Sequence, residues 1–261
     1  MSKKIPPLFF LLLLHSLAQA DSVPGAAGSI EITTLLHAGV QLEYRGTVVQ
    51  VDPWDRLRLP DAKPADLILI SDDPGHHLDV DAIERLRKPG ASVVLTAAGK
   101  QKWPDGIVVA NGETVRVAGV TVESIAAYDI IQGNPSHPKG DANGYVVTLG
   151  GKKFFFAGVT ECVDEVKALQ GIDVAFMPMN IPLARMTPAA AAACTLGLNP
   201  AVVYLYHYDQ DYARRAQQPD YVGTGSLPDG LTVAESLDRF AEALDGSGIE
   251  FRRGEFYPPL D

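Results

Sequence analysis

The chain has 261 residues, 46% of them hydrophobic, and its 22 Lys and Arg face 32 Asp and Glu for a formal charge of −10. A net-acidic chain without a basic cluster suits neither nucleic acid nor an anionic membrane surface, so those partners are excluded. The length fits one domain or two small ones and is enough to bury a core without staples.

In chain order, the first feature is a secretory leader over residues 1–20. Lys3 and Lys4 are its positive start, Leu8 to Leu14 its apolar centre, and Ala18-Gln19-Ala20 a small-x-small cleavage site. The apolar stretch is too short to anchor in a bilayer, and no later segment offers about twenty apolar residues in a row. The expected mature protein is a single exported domain over residues 21–261, secreted or periplasmic, and without Lys3 and Lys4 its formal charge moves from −10 to −12.

Ser29 to Leu36 alternates loosely as a strand. Val40 to Tyr44 and Thr47 to Val51 flank Arg45-Gly46, a hairpin signal, and Asp52-Pro53-Trp54 ends the second strand. Leu67 to Ile70 is a continuous apolar run, as expected of a strand covered on both faces. Val80 to Arg87 reads as a helix with Asp79 at its N-cap, ended by Lys88-Pro89-Gly90. Strands follow at Ser92 to Thr96, Ile107 to Val109, Thr114 to Val117 and Val120 to Ile125.

The second half repeats this layout. Gly144 to Leu149 and Lys153 to Ala157 flank Gly150-Gly151, a second hairpin signal. Val163 to Leu169 is helical in pattern, and Val174 to Met177 is a strand. Thr187-Pro188 opens an alanine-rich helix with proline at its first position. Val202 to Tyr206 is a strand that runs into His207, and Thr232 to Glu235 is a capping box before a helix over Val233 to Leu244. Two halves of strands, helix and strand suit two sheets packed face to face with helices outside. The cysteines, Cys162 and Cys194, are left open: export permits a disulfide, while Cys194 also reads as a small buried hydrophobe in its helix.

Five histidines, His37, His76, His77, His137 and His207, fall in the expected mature chain, four of them after strands or in loops, where side chains can converge at one rim. Taken singly, each reads more readily as a surface or hydrogen-bonding histidine than as a metal ligand. The stretches "HAGVQLEYRGTVVQVDPW", "ADLILISDDPGHHLDVDAIERL", "HPKGDANGYVVTLGGKKFFFAGVTE", "IDVAFMPMN", "MTPAAAAA" and "VVYLYHYD" occur in an order that resembles the metallo-β-lactamase superfamily, in its branch of ascorbate-6-phosphate-lactonase-like metal-dependent hydrolases. The resemblance spans about His37 to Asp209. It implies an α/β (α+β) fold, a four-layer αββα sandwich of two mixed β-sheets with helices on the outer faces.

The same resemblance exposes an altered metal motif. Where the family reads His-x-His-x-Asp-His, this chain has Asp72, Pro74, His76 and His77. His137 and His207 stand at two further ligand positions, and Val159 replaces a bridging aspartate. The implied site is one ion at most, zinc or another divalent transition metal, on His76, His77 and His207, with His137 left from the other half. Three imidazoles with an open fourth position are a known catalytic zinc arrangement. Asp72 and Asp73 are the candidates to orient or deprotonate a water there, and the substrate would be a small ester, lactone or phosphoester. The alternative is an inactive relative that serves as a ligand- or protein-binding scaffold. His37 reads as a structural hydrogen-bonding residue near the site. Lys139, Tyr128, Asn180 and Arg185 read as loop residues around it. The oligomeric state stays open.

Overall fold

The computed structural model describes residues 21–261 apart from 58, 60, 134, 183, 219, 224–229, 259 and 261. The leader and its cleavage site lie outside the described residues. The first sheet contains β1 (Asp21–Gly25), β2 (Gly28–Thr34), β3 (Val40–Tyr44), β4 (Thr47–Val51), β5 (Ala65–Leu69), β6 (Arg87–Leu95) and β7 (Ile107–Val108), with α1 (Val80–Leu86) between β5 and β6. The second contains β8 (Thr114–Val117), β9 (Val120–Ala127), β10 (Ala142–Leu149), β11 (Lys152–Phe156), β12 (Val174–Pro178), β13 (Val202–Tyr206) and β14 (Glu250–Arg252). Its helices are α2 (Asp164–Lys167), α3 (Pro188–Leu198), α4 (Gln210–Gln217) and α5 (Val233–Ala243).

In both sheets the strands lie side by side in chain order. β1 to β4 pair antiparallel and β4 to β7 parallel. The second sheet repeats this, antiparallel from β8 to β11 and parallel from β11 to β14. The two mixed sheets form the expected αββα sandwich. Val49, Val51, Leu67, Leu69 and Val94 from one sheet share a core with Val122, Tyr145, Val147, Phe154 and Phe156 from the other. The alternate residues Val48, Ile68, Ile70, Val93 and Leu95 face outward, under Leu78 and Ile83. That period of two is why the β5 run is apolar throughout: both of its faces are covered. Each large side chain withdrawn from water this way contributes about 1.5–3 kcal/mol. Phe156, Phe176 and Tyr204 sit in register on β11, β12 and β13 and stack at 4.7 and 4.9 Å.

Several local readings shift. Lys88-Pro89-Gly90 does not form a turn after the helix. These residues belong to β6, which begins at Arg87. The β5–β6 register slips there, with Ala65 opposite Arg87 but Leu67 opposite Ser92, so Pro89 sits in an irregularity that does not need its missing N–H. β1, α4 and β14 were not expected from pattern. Cys162 and Cys194 form a disulfide, their Cα atoms 5.7 Å apart, which ties the turn before α2 to α3. Among the described residues no helix is long and apolar enough to cross a membrane.

Candidate metal centre

The parallel strands β4, β5 and β13 all deliver polar residues from their carboxyl ends to one rim. Asp52 follows β4, Ser71 to His77 follow β5, and His207 follows β13. His37 reaches the same place from the β2–β3 connection, because His207 N donates to His37 O (3.1 Å) and His37 N donates to Phe256 O (3.1 Å). His37, Asp52, Asn180 and His207 are non-glycine residues with φ of 61°, 43°, 52° and 55°. Such left-handed backbone is costly for residues with a Cβ and gathers where the surrounding structure aims a side chain.

Asp52 is the buried anchor. Its carboxylate accepts from Ser71 N (2.7 Å), Ser71 Oγ (2.5 Å) and His77 Nδ1 (2.8 Å). An ionised carboxylate only accepts, so the His77 proton sits on Nδ1 and Nε2 faces the cluster. His77 Nε2 lies 3.1 Å from His207 Nε2. On the far side of His207, the Gln210 amide lies 3.0 Å from Nδ1. His37 Nδ1 meets Tyr257 Oη at 3.0 Å, and that hydroxyl also accepts from Asp209 N (3.1 Å). His37 Nε2 is buried and has no partner. His76 is set by ring contacts with His77 (4.6 Å between centroids), His37 (5.3 Å) and Trp54 (6.3 Å).

Among the described residues, His37, His76 and His207 each offer one ligand atom, all within 4.8 Å of one another. Burial, reinforced by the neighbouring imidazoles, holds His37 and His207 well below the ordinary histidine range. Burial and His77 push His76 down to about 3. All three are therefore neutral near pH 7, the form that binds a metal. His77 goes the other way. Burial opposes its protonation, but the Asp52 carboxylate outweighs that and raises it. Neutral imidazoles around an orphaned buried nitrogen fit a divalent transition ion.

In the other half of the implied site the side chains lie close together, yet Asp72 Oδ2, Asp129 Oδ1 and His137 Nδ1 are buried without hydrogen-bond partners. His137 Nε2 lies 3.2 Å from Asp72 Oδ2, and His137 Nδ1 lies 3.6 Å from Asp129 Oδ2. Asp129 also pairs with the buried guanidinium of Arg185. Burial pushes the Asp72 carboxyl up, but His137 and His77 prevail and hold it below the usual carboxylate range. Asp73, the other candidate beside Asp72, accepts from Lys102 Nζ (3.1 Å). Pro74 contributes its carbonyl, which accepts from His77 N and Leu78 N, and Val159 is buried in the core. Asp79 caps α1 through Ala82 N. Lys139 pairs with Glu165 over the Tyr128 ring.

The residues that sequence reasoning undervalued are His37 and Asp52. His37 does make a structural hydrogen bond, but its second nitrogen faces the cluster. The available signal was its place one residue before the "AGV" that opens a strand, at the start of the resemblance. A cleft of about 1020 Å³, lined in part by Trp54, Asp55, Gly75, Leu78, Asp79 and Arg85, opens beside the loop that carries His76.

Comparison with known proteins places this geometry in context. A family model described as a beta-lactamase superfamily domain matches residues 31–207. A UPF0173 metal-dependent hydrolase of Methylobacterium nodulans is 25% identical over 244 residues, covering 85% of this chain and 94% of the relative. One from Pyrococcus abyssi is 31% identical over 196 residues, covering 69% and 85%. A solved structure of a candidate metal-dependent hydrolase from Parabacteroides distasonis superposes with a TM-score of 0.73 at 30% identity, over 91% of this chain and 98% of the other. Igni18, a metallo hydrolase of Ignicoccus hospitalis, shares the fold with a TM-score of 0.63 at 19% identity, over 88% and 97%.

Proposed function

We propose that this chain, which belongs to the beta-lactamase superfamily by a match that spans most of its length, is an exported metal-dependent hydrolase of a small ester, lactone or phosphoester, working with a single divalent ion, zinc before other transition metals. The observation that carries this reading is the meeting of imidazoles from three distant segments, around His37, His76 and His207, with their ligand atoms within 4.8 Å. The names of the UPF0173 relatives support the reaction class, and the leader-like residues 1–20 support export.

A divalent ion at such a site lowers the pKa of water towards 7 and polarises a carbonyl or phosphoryl oxygen. The protein's part is to hold and orient. Asp52 fixes the His77 tautomer and Tyr257 fixes the His37 ring. Asp72 is the general-base candidate, anionic near neutrality and facing both His77 and His137. Trp54 opens onto the adjoining cleft, whose lining is largely charged through Asp55, Asp79, Glu84 and Arg85.

The test is elemental analysis of the purified protein with an esterase, lactonase and phosphodiesterase screen in added Zn²⁺, Mn²⁺ or Fe²⁺. Stoichiometric metal, with hydrolysis lost both on chelation and in His207→Ala, is expected. Hydrolysis that persists in His207→Ala overturns the reading. The second reading, a binding scaffold, is favoured by Val159 in the core and by the Asp72–His137 pair where the family places ligands. It takes over if the protein binds no metal and melts unchanged in chelator.

A further inference from the structure

We infer that His37 is a metal ligand of this chain and that, with His76 and His207, it completes a three-imidazole site displaced from the family's ligand pattern. The inference rests on the metal-dependent reading above and names its ligand set. Neither the motif Asp72, Pro74, His76, His77 nor the later His137 and His207 implicates His37, which comes from a different part of the chain.

Three observations carry it. First, the ligand atoms of His37, His76 and His207 already lie within 4.8 Å of one another. Tetrahedral zinc with bonds of about 2.0–2.1 Å needs nitrogens roughly 3.4 Å apart, so the set must draw together by about an ångström to close on an ion. Second, His37 Nε2 is a buried polar atom without a partner. A buried nitrogen left unpaired costs about 1–3 kcal/mol, and in the tautomer whose Nδ1–H donates to Tyr257 Oη the Nε2 lone pair is free to meet a cation and remove that cost. Third, the opposite nitrogen of His37 is held by Tyr257 Oη at 3.0 Å. A ligating histidine characteristically has its other nitrogen held in this way. His137 lies outside the group: its Nε2 is 3.2 Å from Asp72 Oδ2, and its own buried Nδ1 has no hydrogen-bond partner. Three neutral ligands leave the ion's double charge uncompensated, which suits an anionic or strongly polarised substrate group.

The experiment titrates Zn²⁺ into the chelator-stripped full chain by calorimetry and repeats the titration with His37→Ala, His37→Asn, Tyr257→Phe and His137→Ala. Absorption of the Co²⁺ form is recorded for each. Melting in chelator identifies any variant that fails to fold. The expected result is at least a hundredfold weaker binding for both His37 variants, with a changed Co²⁺ spectrum. Tyr257→Phe should bind about tenfold more weakly, and His137→Ala should bind as the parent does. Parent-like Zn²⁺ affinity and Co²⁺ spectrum in folded His37→Asn overturn the assignment, as does a parent chain that binds neither ion. Should His37→Ala and His37→Asn both fail to fold, an unchanged affinity in Tyr257→Phe overturns it as well. Loss of binding without any hydrolysis by the parent leaves the ligand assignment standing and removes the hydrolase reading. Metal-dependent hydrolysis unchanged in His37→Asn does the reverse.

Discussion

Asp52 makes three hydrogen bonds with one buried carboxylate, joining the end of β4 to Ser71 and to His77. Asp52→Ala would leave the Ser71 N–H and the His77 Nδ1–H without acceptors inside the protein. Breaking a buried charged pair from one side costs about 3–5 kcal/mol, and urea unfolding of the variant should show a loss of that order. Titration of the four rim histidines gives a second expectation, for protein in chelator. His37, His76 and His207 have folded pKa values below the ordinary 6.5, so the unfolded chain takes up their protons first and acid favours unfolding. That loss starts near pH 6.5 and for His76 continues to about 3. It amounts to about 1.4 kcal/mol per pH unit for each imidazole while its unfolded form is charged and its folded form is not. His77 has the opposite sign, because its raised value gives stability that is complete below 6.5 and fades as pH rises through the folded value. With respect to these four groups, stability should peak near pH 6.5. Melting curves between pH 5 and 8 that rise steadily towards acid would contradict the buried, neutral state of the three imidazoles.

At the level of elements, the loop that carries His76 and His77 is pinned at its far end by α1. Asp79 accepts from Ala82 N at 3.1 Å as the N-cap and from Asp55 N at 3.0 Å, which ties the helix start to the residues after β4. Asp79→Ala should cost about 1–2 kcal/mol in thermal melting through the lost cap. Because the same carboxylate positions the loop, this variant should also bind Zn²⁺ more weakly. α5 offers a contrasting control. Its capping box joins Thr232 and Glu235 at the exposed start of the helix. Thr232→Ala should destabilise by about 1 kcal/mol and leave Zn²⁺ affinity unchanged.

At the scale of the whole molecule, two sheets of the same layout are closed along their flanks by links distant in sequence. Tyr204 Oη donates to Asp21 at 2.9 Å, and Arg252 donates to Ser22 O at 3.1 Å, so β13 and β14 of one sheet hold β1 of the other. The Cys162–Cys194 disulfide spans a sequence separation of 32. Loop-closure entropy for that length corresponds to about 3–4 kcal/mol, so Cys162→Ser with Cys194→Ser should lower the urea midpoint accordingly. What was legible in the residues was whatever short-range chemistry sets. Arg45 and Gly46 take the positive φ values of a tight hairpin turn, so β3 and β4 fell where the pattern put them. Pro188 after Thr187 started α3, Thr232 with Glu235 started α5, and the apolar run of β5 announced a strand covered on both sides. β14 was not legible, because three residues become a strand only when β13 lies beside them. α4 was not either, since QDYARRAQ shows a mostly polar face until Tyr212, Ala213 and Ala216 find Leu36 and Trp54. The same division runs through the site. The sequence by itself determined the strands, the hairpins and the placing of histidines at strand ends, because alternation and turns are local, and its resemblance to the metallo-β-lactamase superfamily implied the sandwich and the altered metal motif. Only the tertiary structure decided that His37 meets His76 and His207, that Asp72 turns to His137, that Asp73 faces Lys102 and that the cysteines join. Each of those is a contact between segments far apart in the chain, and it exists only once the sheets have packed.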